Sequence, residues 1–342
     1  MPIKRLNAPA VRGAMLEEIL LWLLRFSGYR TVRQVGNDQT LKTGPAGLEV
    51  RGRGTNHQID AIADYQVQQP FANRQRLLVE AKCLRDAVGL PIARNAVGVL
   101  KDVSEFWHTG QSSQIKRRPI HYMYALFSSS GFASTTQEYA YAQDIYLIPL
   151  HFTRFLKPLI EIIWDMAGKE RTVRAWWPRD WSLKDFREAF RDYLERRALT
   201  TLLTGHDTAR KALSRLQSQI DQIGFALLGT FSGGFPVFLT PAPGVNLDRV
   251  VDGLHFRPRW DDDSWFLERD DGARMFSFDL PEDLFRMYAH DGVLTAEAAL
   301  NMKQAEMGRL QVIDTSHEHA RIIQLYLDEG WIQTLLRERG QA

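Results

Sequence analysis

Two acidic residues and a lysine, Asp60, Glu80 and Lys82, are the residues of this chain whose types and spacing indicate chemistry. Glu80 and Lys82 lie within the apolar run 77–83, and positions two apart on a β-strand face the same side. The apolar neighbours argue against the alternative of an exposed surface ion pair, which would contribute little to stability. A carboxylate and an ammonium group inside an apolar strand therefore indicate a functional site.

The oxygen atoms around these residues suit a hard divalent cation. The carboxylates of Asp60 and Glu80 and the backbone carbonyl of Ala81 are ligands of the kind that Mg²⁺ takes, with water completing the shell, and Mn²⁺ can substitute. Such an ion acidifies a bound water and polarises a phosphodiester oxygen, while the Lys82 ammonium stabilises the developing charge. The sequence thus predicts metal-dependent hydrolysis of a phosphodiester bond.

The surrounding patterns predict the elements that position this site. Apolar residues recur at helical spacing over 11–26, and Gly28 follows where a left-handed C-terminal residue would lie. Further helices are predicted at 89–107 and 134–141, and strands at 58–65, 76–83, 120–127 and 145–150. This order, αββαβαβ, predicts an α/β domain with a central mixed sheet flanked by helices, and it places Asp60 and Glu80 on neighbouring strands.

Asp60 followed by Glu80-Ala81-Lys82 resembles the signature of the PD-(D/E)XK nucleases. The first helix with Glu17 and Gly28-Tyr29 at its end, and the strand–helix–strand pattern over 125–148, resemble the Mrr-type restriction endonuclease branch. The resemblance spans about residues 10–150. It implies a restriction-endonuclease-like fold for a first domain at 1–170, and an Mg²⁺-dependent DNA endonuclease with a role in restriction or defence against foreign DNA.

Two further residues are candidates for the same site. Glu17 and Glu18 are adjacent, so on a helix they point about 100° apart and at most one faces a common site. The family's spacing favours Glu17, which could hold a second metal-bound water, and a solvated helix face is the alternative. Gln58 lies two residues before Asp60 and would share its face in a continuous strand.

Basic and polar residues near the site are candidates for contacts with a nucleic-acid backbone. They are Arg51, Arg53, His57, Arg94, Asn95, Lys116, Arg117 and Arg118. Guanidinium groups in a glycine-rich approach suit phosphate, because small residues let a backbone come close. The alternatives are an ordinary flexible loop for the arginines at 51–53, a simple hydrogen-bonded histidine at 57, and a solvated charge run at 116–118.

Composition limits the classes of protein to consider. The 342 residues are 44% hydrophobic and 25% charged, as in ordinary globular proteins, and a net charge of +2 leaves nucleic-acid binding to local patches. The single cysteine excludes an internal disulfide and a cysteine-based zinc cluster. With no secretory segment and no apolar stretch of roughly 18 residues, the expectation is a cytoplasmic protein without membrane contact.

The second half predicts a separate α+β domain at 171–342 that senses, targets or dimerises. The aromatic, proline-broken segment 175–181 is interpreted as the hinge into it. Helices are predicted to about residue 223, then a hairpin over 225–239, a strand pair at 265–267 and 275–278, and no later strand. Thr315 with Glu318 predicts a capping box for a C-terminal helix.

Three interpretations of function therefore remain at this stage. The first is an endonuclease cutting double-stranded DNA, in which a homodimer would explain cutting of both strands. The second is a DNA-repair or RNA-directed nuclease, because the same metal site cuts either polymer. The third is a catalytically inactive, nucleic-acid-binding regulatory protein with the same fold, since fold does not secure function.

Overall fold

The computed structural model describes residues 6–45, 47–67, 71–106, 119–154, 156–195, 207–223, 226–261, 264–315 and 320–340. These residues form a mixed α/β protein. Its α-helices are α1 (Ala8–Phe26), α2 (Leu90–Ser104), α3 (Ser134–Tyr141), α4 (Lys157–Ala167), α5 (Glu170–Trp176), α6 (Leu183–Leu194), α7 (Asp207–Ile223), α8 (Glu282–Tyr288), α9 (Ala296–Glu306) and α10 (Glu329–Gly340). No helix in the described ranges combines the length and the apolarity that crossing a bilayer requires.

The strands of the first half are β1 (Tyr29–Thr31), β2 (Leu41–Gly44), β3 (Gly47–Arg51), β4 (Asn56–Gln58), β5 (Ala61–Tyr65), β6 (Gln75–Lys82), β7 (His121–Ser128) and β8 (Ile145–Pro149). The central sheet has the order β1-β5-β6-β7-β8. Its first three strands are antiparallel, and β6, β7 and β8 run parallel. The predicted central mixed sheet is confirmed at this level.

The predicted single strand over 58–65 is wrong. The chain forms β4, which pairs with β3 in a three-stranded sheet of order β2-β3-β4, and then β5, which pairs with β6 in the central sheet. The residues explain the break, because four successive residues of β5 are buried while the two ends of β4 are exposed. Because β4 pairs with β3 and β5 pairs with β6, Ile59 and Asp60 form the junction between two sheets.

Helix α1 confirms the first predicted helix. Met15, Leu16, Ile19 and Leu20 are all at most 1% exposed, as expected for a helix buried on several faces. Gly28 follows with φ of 77°, in the left-handed region that glycine adopts without a steric penalty. The other predicted helices of this half are α2 and α3, and α2 packs its buried alanine and valine side chains into a core with Leu78 of β6.

The strands of the second half are β9 (Leu227–Phe231), β10 (Pro236–Pro241), β11 (His255–Trp260), β12 (Trp265–Glu268), β13 (Arg274–Phe278), β14 (Arg309–Asp314) and β15 (Arg321–Leu327). They close into a barrel of order β10-β13-β12-β11-β15-β14-β9 around a core of buried aliphatic and phenylalanine side chains. The predicted hairpin is β9 with β10, and the predicted strand pair is β12 with β13. The closed barrel was not predicted.

The expectation that strands end at residue 278 is wrong, because β14 and β15 pair along their whole length and complete the barrel. The capping box predicted at Thr315 does not start the last helix, because β15 lies between Thr315 and α10. Its other residue, Glu318, lies outside the described residues. The N-terminus of α10 is instead capped by Asp328, whose carboxylate accepts the backbone N–H of Trp331 at 3.0 Å.

The chain divides into two compact units by its internal contacts. The first contains residues 1–25 and 29–222, and the second contains 26–28 and 223–342. Helices α5, α6 and α7, which the sequence analysis placed in a second domain starting at 171, thus belong to the first unit. The aromatic segment interpreted as a hinge packs inside that unit, where Trp177 is 2% exposed and meets Phe186 of α6 edge to face at 4.8 Å.

Candidate active site

Asp60 lies at the junction between β4 and β5, next to the end of β6. The β5–β6 register pairs Ala61 with Val79, which brings the preceding residue beside Glu80. The Oδ2 atom of Asp60 accepts the backbone N–H of Ala81 at 2.9 Å. Asp60 and the Glu80-Ala81 backbone therefore meet at one place.

Glu80 is held by donors on both of its carboxylate oxygens. Lys82 Nζ lies 2.6 Å from Oε1, and the hydroxyl of Tyr124 on β7 donates to Oε2 at 2.8 Å. Burial and the nearby Glu80 carboxylate raise the pKa of Tyr124 far above its usual value, so its hydroxyl stays protonated and remains a donor. Tyr124 was not among the sequence candidates, since a tyrosine in an apolar strand gives no signal beyond core packing.

Glu17 of α1 joins the same electrostatic environment. Its carboxylate lies 2.6 Å from Arg187 Nη1, and its side chain is 13% exposed. Burial raises the pKa of Glu17 to about 7, Arg187 opposes the rise, and the charges of Asp60 and Glu18 add to it. Glu17 is thus close enough to Asp60 for their charges to interact, and the alternative of a solvated helix face is wrong.

Asp60 responds to the same groups. Burial raises the pKa of Asp60, against the lowering effects of the Ala81 N–H, Lys82 and Arg187, while Glu80 raises it further. We call Glu17, Asp60 and Glu80, with Lys82, the acidic cluster. The lowering effects of the nearby cations do not fully offset the penalty of burying these carboxylates, so Asp60 and Glu17 keep a proton more readily than exposed carboxyls do.

Helix α6 reaches the acidic cluster from a distant part of the sequence. Arg187 pairs with Glu17, and Arg191 makes a bidentate pair with Glu18 at 2.8 and 2.7 Å. Glu18 is 1% exposed, so its charge is compensated inside the protein rather than by water. The two adjacent glutamates therefore divide their roles, as Glu17 interacts with Asp60 while Glu18 fixes α6 against α1.

The glycine-rich segment around residues 51–55 docks on the last turn of α2. Asp102 accepts the backbone N–H groups of Gly54 and Thr55 at 2.8 and 3.2 Å, and its Oδ2 lies 2.7 Å from His57 Nε2. Arg53 Nη1 lies 2.9 Å from Glu105. The segment is thus held against α2 by hydrogen bonds, and His57 is hydrogen-bonded there, as the alternative interpretation of this residue expected.

The remaining backbone-contact candidates lie on the surface or outside the described residues. Arg51 is exposed and donates to the Leu41 carbonyl at 3.3 Å. Arg94 and Asn95 are exposed on α2, with the Arg94 guanidinium 6.0 Å from the ring centre of Tyr139. The candidates Lys116, Arg117 and Arg118 lie outside the described residues.

Gln58 is not on a strand shared with Asp60. It is exposed at the end of β4, where it pairs in register with Glu49 of β3. The sequence argument for Gln58 assumed a strand continuous with Asp60, and that assumption is wrong. The structure therefore brings Asp60, Glu80, Ala81 and Lys82 together, places Glu17 where the charge of Asp60 affects its pKa, and leaves Gln58 in the neighbouring sheet.

Comparisons with known proteins give no assignment. No family model matches the chain. No curated protein matches it. A solved structure described as a protein of unknown function, AF1548, is similar with a TM-score of 0.33 and 18% identity, over 62% of this chain and 98% of that chain. A likeness at that level carries no argument about fold or function.

Proposed function

We propose that this chain is an Mg²⁺-dependent endonuclease that hydrolyses phosphodiester bonds in DNA. The observation that carries the proposal is the hydrogen bond from the Ala81 N–H to Asp60 at 2.9 Å, together with the 2.6 Å contact between Lys82 and Glu80. Two carboxylates, a backbone carbonyl and an ammonium group thereby share one sheet end. Glu17 adds a third carboxylate to the same electrostatic environment.

The donor set fits a divalent cation. Burial raises the pKa of both Asp60 and Glu17, and a divalent cation bound between carboxylates would favour their ionised forms. The described residues contain no cluster of three or more acidic, histidine or cysteine side chains arranged around one ion. Mg²⁺ is commonly bound by one or two carboxylates together with water and substrate phosphate, so two carboxylates can suffice for it. Asp60, Glu80 and the Ala81 carbonyl are the groups that would hold it.

The protein's own groups would position and stabilise the reacting phosphate. A bound Mg²⁺ would supply polarisation of a phosphoryl oxygen and a more acidic water. Lys82 Nζ supplies a positive charge and hydrogen-bond donors beside Glu80, suited to the charge that builds on the phosphate. Tyr124 fixes the Glu80 carboxylate, and Arg187 orients Glu17, so neither carboxylate must reorganise when substrate arrives.

The proposal includes a substrate and a setting. Double-stranded DNA as the polymer, a cytoplasmic location and a role in restriction or defence against foreign DNA rest on the resemblance to Mrr-type restriction endonucleases. A homodimer is the arrangement proposed for cutting both strands. Mn²⁺ is expected to replace Mg²⁺, because it accepts the same oxygen ligands.

A cleavage assay with matched variants tests the proposal. Supercoiled plasmid and RNA are incubated with the full chain in Mg²⁺, in Mn²⁺ or in EDTA, using the unchanged protein, Lys82→Ala and the control Lys101→Ala. Lys101 is exposed on α2. We expect plasmid cleavage in either metal by the unchanged protein and by the control, and none in EDTA or by Lys82→Ala.

The other outcomes distinguish the competing interpretations. Cleavage that persists unchanged in Lys82→Ala would indicate a contaminating nuclease. Cleavage of RNA alone would favour an RNA-directed enzyme. Binding of DNA without cleavage in any metal would favour a regulatory protein that keeps the fold without the activity.

A further inference from the structure

A second polar site lies where β6 begins, at the end of the strand away from the acidic cluster. It is a cavity of about 460 Å³ formed by the chain between β1 and β2 and by the neighbouring ends of β5 and β6. Its lining includes Arg30, Arg33, Arg74 and Arg76. We call it the arginine cavity.

Arg76 is committed to the protein itself. It is fully buried, and it donates to Asp64 at 2.7 Å, to Asp38 at 2.7 Å and to Thr40 at 2.8 Å. Both carboxylates of the lining are engaged by this guanidinium. Arg76 therefore forms the floor of the cavity, and it is not the group that would bind a ligand.

Arg30 and Arg74 keep much of their side chains exposed, 72% and 42% respectively. Arg74 contacts Asp38 and Asp64 at 2.8 and 3.0 Å through one nitrogen, Nη2. Within the part of the chain that the structure describes, the buried Nε atoms of Arg33 and Arg74 have no hydrogen-bond partner. The Nη2 atom of Arg30 lies 3.5 Å from Asp64 Oδ2, which is too long for a strong hydrogen bond.

The charge of the lining is also unbalanced. Four guanidinium groups face two carboxylates, Asp38 and Asp64, an excess of two positive charges. Arg33 forms an ion pair with Glu195 at 3.3 Å, and Glu195 also forms an ion pair with Arg25 at 2.5 Å. Burial is the main cause that lowers the pKa of Arg33; the positive charges of Arg191 and Arg25 add to it, and Glu18 and Glu195 oppose it.

We propose that the arginine cavity binds a phosphate monoester of mononucleotide size. The planar guanidinium fork matches phosphate oxygens, and the exposed guanidinium groups of Arg30 and Arg74 beside excess positive charge favour an anion over a neutral ligand. The volume lies in the usual range of small-molecule sites, about 300–1,000 Å³. Val32 and Val35 add apolar surface on which a base or sugar can rest. This inference does not depend on the proposed nuclease activity.

Isothermal titration of the full chain tests the proposal with AMP, inorganic phosphate and adenosine. AMP is expected to bind with an affinity that falls as salt rises, phosphate to compete with it, and adenosine not to bind. Arg30→Ala and Arg74→Ala should each weaken AMP binding by about tenfold, the usual effect of losing a charge-assisted hydrogen bond. The control Arg171→Ala removes an exposed arginine of α5 and should leave the affinity unchanged.

Several results would overturn the proposal. One is the absence of binding by AMP and phosphate at millimolar concentration, and another is equal binding by adenosine. A third is the same AMP affinity in Arg30→Ala and in the control; because Arg30 is largely exposed, this variant is expected to fold even if Arg74→Ala does not. A short DNA duplex forms the last arm: if Arg30→Ala weakens duplex binding while AMP does not bind, the cavity holds a backbone phosphate instead.

Discussion

Strand β6 carries two charged groups of residues that solve the burial of charge in opposite ways. Near its start, Arg76 is surrounded by Asp64, Asp38 and Thr40, and each of its nitrogens has a partner. Although burial raises it, the pKa of Asp38 is held well below its usual range by hydrogen bonds from Thr40 and Arg76. At the strand's end the acidic cluster shows the reverse, since burial raises the pKa of Asp60. A buried charge whose partners compensate it, as at Arg76, indicates structure, and a carboxyl whose pKa is raised by burial, as at Asp60, indicates a candidate functional site.

The largest expected effect is a loss of nuclease activity when the acidic cluster is changed. Asp60→Asn should reduce metal-dependent cleavage by about 10³-fold, ~4 kcal/mol of transition-state stabilisation, because a proposed metal ligand loses its charge. Its stability should be equal or higher, since folding raises the pKa of that carboxyl. Plasmid cleavage rates and urea unfolding in EDTA measure the two quantities. Asp86→Asn, at an exposed position, is the matched control, and a comparable loss of rate in it would argue against a special role for Asp60.

The next largest effect is a loss of stability when the buried Arg76 near the start of β6 is replaced. Arg76→Met removes a fully buried cation and leaves Asp64 and Asp38 facing each other without it, which should cost about 3–5 kcal/mol in the free energy of unfolding. Urea unfolding at neutral pH measures the loss. Arg94→Met, on the exposed face of α2, should change stability by no more than about 0.5 kcal/mol. Equal losses in the two variants would contradict the distinction between the two ends of β6.

A smaller and pH-dependent effect is expected at Glu17. Its folded pKa is about 7, above the unfolded value of 4.5, so the carboxyl favours folding least when ionised. The contribution of this carboxyl to the free energy of unfolding is fully present below its unfolded pKa of 4.5. That contribution is lost as the pH rises from 4.5 to about 7. Glu17→Gln should therefore be more stable than the unchanged protein at pH 8 by about 1–3 kcal/mol, with a smaller difference at pH 5. Urea unfolding in EDTA tests this, and parallel stability curves for the two proteins would contradict it.

The smallest effect is expected from Arg30, which lines the arginine cavity. Its side chain is 72% exposed and lies 3.5 Å from Asp64, so Arg30→Ala should change the free energy of unfolding by less than about 0.5 kcal/mol. Thermal or urea unfolding is the measurement. A loss above about 1 kcal/mol in the free energy of unfolding would show that Arg30 belongs to the same buried ion-pair network as Arg76. The expected difference in stability between the Arg30 and Arg76 variants would then be smaller.

Local patterns were sufficient for much of the fold. Helix α1 and strand β6 are long apolar runs with an unambiguous period, and the Ser232-Gly233-Gly234 turn marks the β9–β10 hairpin. The break at Ile59-Asp60 was not readable, because it depends on which sheet each half of the segment joins. Strand β11 contains Pro258, which weakens a strand assignment, and β14 and β15 acquire their meaning only through closure of the barrel.

The candidate site divides in the same way. Asp60, Glu80 and Lys82 could be identified because charges inside or beside an apolar strand are unusual. Arg187 and Arg191 could not, since arginines on an amphipathic helix are ordinary and their partners Glu17 and Glu18 lie far away in the sequence. Long-range charge pairing leaves no local trace in the pattern of hydrophobic residues.

The ion pairs between α6 and α1 set the minimum length of a fragment that could be transferred to another protein. A truncated version ending at residue 170 would keep every strand of the central sheet, yet it would strip Arg187 from Glu17 and leave Glu18, 1% exposed in the intact protein, as a bare interior anion. A fragment transferred to another scaffold must therefore retain the chain through Glu195, which pairs with Arg25 and Arg33.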